Sequence, residues 1–191
     1  PILAARTADL DRFRSAAGRH GRFLRPYRAA IPAALEEAAL ARELLEASGY
    51  GEAAAEAREA GGLCHGDLAA NNALVHGAHA YLLDLDRAER DIFAADLTRL
   101  IQRIAAAQDW DSRPGEALLE AYQCLRPLPV WEMRLVAAWL HWPQPFWRLG
   151  YQYFVEGLAR SERFFVGRLW HWTNAAEQRR AFLDRCRKKW W

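Results

Sequence analysis

The chain has 191 residues, of which 52% are hydrophobic and 26% charged, so it can bury a core as one large domain or one lobe of a larger protein. Its net charge of +2 is too small to indicate a nucleic-acid or membrane partner. The three cysteines are widely spaced, which favours reduced thiols in the cytoplasm over a disulfide framework or a zinc site. No apolar run has the roughly 20 residues that a membrane helix needs, and no signal peptide opens the chain.

The first part of the chain has a helical pattern. Apolar residues at helical spacing predict a first helix over 7–19. Pro26 and Pro32 bracket the expected start of a second, leucine-rich helix. A short helix rich in Ala and Glu follows over 52–60. Helices are therefore expected across 7–60.

The hydrophobic period changes in the middle of the chain. Brief extended stretches over 63–65, 72–75 and 80–83 predict short strands, and a Gly-containing turn typical of a hairpin joins the last two. The helical period then returns and predicts a helical bundle over 94–188. Short strands within a largely helical body indicate an α+β fold that is mainly helical.

The stretch between the two helical parts has an unusual group of polar residues. His65-Gly66-Asp67 followed by Asn72 forms the pattern H-G-D-x-x-x-x-N, and Asp84-Leu85-Asp86 comes after the hairpin. Hairpin geometry can bring Asp67, Asn72, Asp84 and Asp86 together at one end of the small sheet. Phosphoryl transfer requires a carboxylate that orients the nucleophile and oxygen ligands that hold Mg²⁺ across the phosphates. The pattern therefore predicts a phosphoryl-transfer site.

These motifs resemble the catalytic half of the protein-kinase-like phosphotransferases, a superfamily that includes aminoglycoside phosphotransferases, choline kinases and eukaryotic-type protein kinases. The flanking sequence is most similar to the CotS-type spore-coat kinase family. That family has a Y-x-x-D-x-D segment, here Tyr81–Asp86, and a D-L-x-R-L-x-x-R helix, here 96–103. Its Pro and Phe-Trp before a Tyr-rich helix have a counterpart at 142–154. The resemblance runs from about Phe23 to the last helix and is strongest over 63–103.

The resemblance implies chemical roles for four residues. Asp67 would be the catalytic base or the group that orients the nucleophile. Asn72 and Asp84 would be Mg²⁺ ligands, with Asp86 as a further acidic group near the metal. ATP and Mg²⁺ are the cofactors that these roles imply.

Other residues would support the loop or bind the acceptor. The resemblance implies that His65 is a structural member of the loop, bonded to backbone, and that Asp96 anchors the loop from the N-terminal end of its helix. Trp142 and Trp147 belong to a tryptophan-rich later part of the chain. They are expected either in the core between the late helices or in the aromatic wall of an acceptor cleft.

The sequence contains no Gly-rich phosphate-covering loop and no strand Lys upstream of the motif. We therefore expect residues 1–191 to form a single kinase-like C-terminal lobe, with the nucleotide-binding N-lobe outside a sequence that begins with Pro rather than Met. The expected function is ATP- and Mg²⁺-dependent phosphoryl transfer to a hydroxyl of a small molecule or a spore-coat protein. The alternative is a non-catalytic pseudokinase scaffold of the spore coat. The expected location is the cytoplasm or the spore coat, with no nucleic-acid or membrane partner.

Overall fold

The computed structural model of the chain describes residues 2–16, 21–59, 62–157 and 160–190. These residues are mainly helical with short strands, so the predicted α+β class with a small sheet is confirmed. The described helices are α1 (Ile2–Ser15), α2 (Leu24–Ala47), α3 (Tyr50–Glu59), α4 (Ala94–Ala107), α5 (Ser112–Leu125), α6 (Val130–His141), α7 (Gln144–Phe154), α8 (Glu162–Asn174) and α9 (Ala176–Trp190). The strands are β1 (Leu63–Cys64), β2 (Ala73–His76), β3 (His79–Leu82) and β4 (Glu89–Arg90).

The boundaries of the first two helices differ from the prediction. Helix α1 begins at Ile2 rather than at residue 7, and the predicted residues 17–19 lie outside the described ranges. Helix α2 begins at Leu24 and continues through Pro32, which was expected to mark its start. Pro26 lies in the first turn of α2, where backbone N–H groups have no partner within the helix, so a proline there removes no helical hydrogen bond. The buried face of α2 continues on both sides of Pro32, and this burial outweighs the bond that the proline removes.

The strands form two antiparallel pairs. Strands β2 and β3 make the predicted hairpin, with Ala73 opposite Leu82 and His76 opposite His79. Strand β1 pairs with β4, whose two charged residues have no apolar alternation that a sequence pattern could reveal. The second pair brings residue 90 back beside residue 63 and so closes a loop of chain around the H-G-D motif.

The chain divides into two compact units, and the first comprises Pro1–Arg42 and His141–Glu177. Its core is aromatic. The Tyr27 ring stacks on Phe146 with centroids 4.4 Å apart, and Phe13 stacks on Phe154 at 4.9 Å. Gly150 lets α7 approach this cluster, because a Cβ there would lie 1.9 Å from the Tyr27 Oη.

The second unit comprises Glu43–Leu140 and Gln178–Trp191 and contains the four described strands. Its core includes Ile101 from α4, Leu119 from α5 and Phe182 from α9, all of which are buried. The apolar face of α4 is turned into this core, which leaves its polar face for other contacts. Among the described helices, none combines the length and apolarity needed to cross a bilayer.

Candidate active site

The H-G-D loop is anchored by Asp96, in the first turn of α4. One carboxylate oxygen of Asp96 accepts a hydrogen bond from the backbone N–H of His65. The other accepts from the backbone N–H of Gly66, at 3.0 Å, and from the guanidinium of Arg99, at 3.1 Å. A carboxylate near a helix N-terminus also interacts favourably with the helix dipole. Asp96 therefore fixes the backbone at the start of the loop.

Gly66 allows the loop to pass very close to a second turn. Its φ is +77°, in the left-handed region, and a Cβ at this position would lie 2.0 Å from the carbonyl oxygen of Arg87. Both conditions require glycine. Arg87 immediately follows Asp86, so this contact holds the H-G-D loop against the turn that carries the D-x-D segment.

His65 links the loop to the end of the hairpin. Its Nε2 lies 2.8 Å from the carbonyl oxygen of Leu83, and its Nδ1 accepts from the backbone N–H of Asp67 at 3.3 Å. Because Nδ1 is an acceptor, the proton is on Nε2, which donates to Leu83. The side chain is buried and both ring nitrogens are bonded to backbone groups. This arrangement leaves neither nitrogen free to transfer a proton.

Asn72 is held at the junction between the loop and strand β2. Its side-chain N–H donates to the carbonyl oxygen of Asp67 at 3.0 Å, and its Oδ1 accepts from the Asn71 amide at 2.9 Å. Its backbone carbonyl accepts from the N–H of Leu83 at 2.9 Å, which extends the hairpin ladder by one residue. Asn72 therefore lies directly across from Leu83, the residue before Asp84.

Asp84 and Asp86 follow the hairpin on exposed backbone. Asp84 has a φ of +61°, a left-handed conformation that is uncommon for any residue other than glycine and often occurs at functional sites. Within the described ranges, no hydrogen bond or ion pair engages either carboxylate. The same ranges contain no group of three or more His, Cys, Asp or Glu side chains placed to hold a metal ion.

Asp67 lies on the loop with its side chain 28% exposed, and α4 provides its partner. The guanidinium of Arg103 forms an ion pair with the Asp67 carboxylate and donates to the backbone carbonyl of Leu68 at 3.2 Å. The hydrogen bond from Arg103, followed by smaller contributions from its charge and that of Arg87, lowers the pKa of Asp67 below its usual range. Asp67 is therefore an ionised, accessible carboxylate that can orient a hydroxyl group.

Arg103 is a site residue that the sequence reasoning did not assign. It belongs to the D-L-x-R-L-x-x-R segment, in which Asp96, Arg99 and Arg103 are spaced by three and four residues. That spacing places them on one face of a helix. The signal was therefore present, because a residue on the same face as the loop anchor Asp96 is expected to lie near the loop.

Trp142 and Trp147 lie in the first compact unit, whereas the loop belongs to the second. Both are buried, at 3% and 7% relative exposure. The indole N–H of Trp142 donates to Gln144 Oε1 and that of Trp147 to Asp9 Oδ2, each at 3.0 Å. The packing of both rings within their own unit is established here, and their contribution to an acceptor cleft stays a prediction.

Comparison with known proteins gives two matches. The sequence profile of the phosphotransferase enzyme family matches residues 3–139. The crystal structure of an aminoglycoside phosphotransferase from Alicyclobacillus acidocaldarius subsp. acidocaldarius DSM 446 has the same fold, with a TM-score of 0.86 at 24% sequence identity. The match covers 98% of this chain and 57% of that one, so this chain spans little more than half the length of that structure. No curated protein matches the sequence significantly.

Proposed function

This chain belongs to the phosphotransferase enzyme family, and from that membership we propose that it supplies the catalytic half of an enzyme that transfers the γ-phosphoryl group of ATP to a hydroxyl group. The observation that carries the proposal is the position of Asp67, an ionised and accessible carboxylate on a loop held by Asp96, His65 and Gly66. Phosphoryl transfer depends mainly on positioning and charge compensation, and a loop fixed at this many points meets the first requirement.

Asp67 is the proposed catalytic residue. Its carboxylate would accept a hydrogen bond from the acceptor hydroxyl and direct the oxygen lone pair at the γ-phosphorus. The lowered pKa of Asp67 keeps the group ionised at neutral pH, so it is always ready to accept this bond. A weak base is sufficient, because in a loose transition state the nucleophile loses its proton late.

Asn72, Asp84 and Asp86 are the residues proposed to hold Mg²⁺. Amide and carboxylate oxygens are the ligands that this ion prefers, and the two carboxylates are exposed without partners in the described part of the chain. The backbone pairing of Asn72 with Leu83 supports this proposal, because it puts Asn72 across the hairpin from the residue that precedes Asp84. A site with so few protein ligands fits Mg²⁺, which usually keeps several waters and binds substrate phosphates. When bound, the ion would neutralise charge on the phosphate oxygens.

A second lobe, outside these 191 residues, is proposed to complete the nucleotide cleft. The solved relative has a large part of its length with no counterpart here. The hairpin presents large apolar side chains to solvent on both faces, at Leu74, Val75, Tyr81 and Leu82. Exposed apolar surface of this kind usually marks an interaction site. We propose that the nucleotide and its lobe cover it.

Calorimetry on the isolated chain tests the two-lobe arrangement. The 191-residue chain should bind Mg·ATP weakly or not at all, because it has only half of the proposed cleft. A longer polypeptide, which contains this chain together with the proposed second lobe, should bind Mg·ATP. Tight Mg·ATP binding by the isolated chain would contradict the arrangement.

The finer assignment is to the CotS type, with a small molecule or a spore-coat protein as acceptor. The segments at Tyr81–Asp86, 96–103 and 142–154 support it. A fold does not select an acceptor, so the acceptor class is a proposal that rests on these segments alone.

The test of function is phosphoryl transfer by the longer polypeptide from Mg·ATP to a panel of aminoglycosides, choline, homoserine, sugars and spore-coat extract. The wild-type protein should form product with at least one acceptor, and Asp67→Ala should abolish it. If wild type and variant are equally inert across the panel, including slow hydrolysis with water as acceptor, the chain is a pseudokinase scaffold.

A further inference from the structure

The polar face of α4 contacts the catalytic loop through two residues, Asp96 and Arg103, and Arg99 between them supports Asp96. Asp96 binds the backbone N–H groups of His65 and Gly66. Arg99 binds Asp96 itself and reaches Glu89 at 3.5 Å. Arg103 extends furthest along the loop and is the member of this face that contacts the Asp67 carboxylate.

Arg103 contacts three acceptors within two adjacent loop residues. It pairs with the Oδ1 of Asp67 and donates to the carbonyl oxygens of Asp67, at 3.5 Å, and Leu68, at 3.2 Å. A single guanidinium therefore fixes both the side chain and the backbone at the catalytic position. The other carboxylate oxygen of Asp67, Oδ2, accepts no hydrogen bond from any described residue.

We propose that Arg103 is a positioning residue for phosphoryl transfer: it holds Asp67 by Oδ1 so that Oδ2 is presented to the acceptor hydroxyl. The inference rests on the proposed function, because it requires Asp67 to be the group that receives that hydroxyl. Arg103 acts through Asp67 and does not itself touch the reacting atoms.

The geometry requires an arginine at this position. A guanidinium has five N–H donors in a rigid, planar fork, so it can bind a carboxylate and neighbouring carbonyls at the same time. A lysine ammonium could pair with the carboxylate, but it would not fix the angle of the carboxylate against the backbone. The positive charge of the guanidinium also offsets the negative charge of the Asp67 carboxylate that it binds.

If Arg103 had a purely structural role, its loss would lower turnover only to the extent that it lowered the stability of the fold. The side chain of Arg103 is 48% exposed, and an ion pair at such a site contributes little to folding. Loss of Arg103 should therefore leave the unfolding midpoint almost unchanged. A loss of turnover without a loss of stability would separate positioning from support of the fold.

The test compares Arg103→Gln and Arg103→Lys in the longer polypeptide, with ADP release from Mg·ATP as the readout, water as the acceptor, and urea unfolding in parallel. For Arg103→Gln, kcat should fall about 10- to 100-fold, the range expected when a catalytic group is misplaced by about 1 Å. KM for Mg·ATP should stay within about twofold, because ground-state binding is not affected. The kcat of Arg103→Lys should lie between those of the wild type and Arg103→Gln. Guanidinium in the buffer should partly restore the kcat of Arg103→Ala.

Arg113→Gln is the matched control. Arg113 also pairs with an aspartate, Asp111, in the same compact unit, and its side chain is 88% exposed. The substitution removes the same charge and the same type of ion pair without touching the loop. It should leave kcat, KM and the unfolding midpoint unchanged.

Several results would overturn the inference, and they differ from failure of the proposed function. If Asp67→Asn is inactive while Arg103→Gln keeps wild-type kcat, Arg103 does not position Asp67. If the Arg103 variants lose turnover only in proportion to a loss of folded protein, the role is structural. If wild type and Asp67→Asn turn over equally, or neither turns over with water or with any acceptor of the panel, the proposed function fails and the role of Arg103 fails with it.

Discussion

Replacement of Gly66 by alanine tests how tightly the loop is held. Gly66 has a left-handed φ of +77°, and the new Cβ would lie 2.0 Å from the carbonyl oxygen of Arg87 and 2.9 Å from its carbonyl carbon. Real Cβ atoms do not approach backbone this closely, so either the loop or the turn after Asp86 must move. The substitution therefore displaces the segment that carries Asp67.

The cost has two parts. A left-handed backbone costs about 1–2 kcal/mol for a residue with a Cβ. Relief of the overlap by backbone movement costs about 1–3 kcal/mol more, as in other overpacked sites. The free energy of unfolding should therefore fall by about 2–5 kcal/mol for Gly66→Ala.

Gly77→Ala is the matched control, because Gly77 also has a left-handed φ, +59°, but has nothing within 4 Å of its Cβ position. It should lose only the conformational part, about 1–2 kcal/mol. Urea unfolding followed by far-UV circular dichroism measures both variants. Equal losses in the two variants would refute the close approach of Gly66 to Arg87.

Two further predictions concern the rest of the chain. Gly150→Ala should lower the free energy of unfolding by about 1–3 kcal/mol or more, and with it the thermal unfolding midpoint, because the new Cβ would overlap the buried Tyr27 hydroxyl. Gly167→Ala, with nothing within 4 Å of its Cβ position, should be neutral or should stabilise α8. Equal midpoints for the two variants would contradict the packing of the first unit. Burial raises the pKa values of the Cys64 and Cys186 thiols to about 12 each, so at pH 8 iodoacetamide should alkylate only the exposed Cys124, as read by peptide mass spectrometry, and rapid native labelling of the buried pair would contradict their environment.

The hairpin and the loop before it, residues 63–86, were the part of the structure most readily predicted from the sequence, because the signals for them are local. The H-G-D pattern, the Asn five residues after the Asp and the hairpin are set by short-range backbone geometry. An Asp in the first turn of a helix is a common anchor for neighbouring N–H groups. The mainly helical α+β class followed from hydrophobic periodicity in the same way.

Features that depend on distant partners were not predicted. The Arg103–Asp67 pair joins residues 36 positions apart. The lack of room for a Cβ at position 66 is due to Arg87, which lies in another turn. Strand β4 exists because Leu63 and Cys64 provide an edge for it to pair with. The passage of α2 through Pro32 depends on burial that a local proline rule does not include.

The kcat of Asp67→Asn is the most direct test of the central claim, that the Asp67 carboxylate drives phosphoryl transfer. The amide keeps the size of the side chain but cannot act as a base, so kcat should fall about 10²- to 10⁴-fold. The Kd for Mg·ATP, measured by calorimetry on a polypeptide that includes the proposed second lobe, should stay close to that of the wild type. A variant with wild-type kcat and wild-type nucleotide binding would contradict the account.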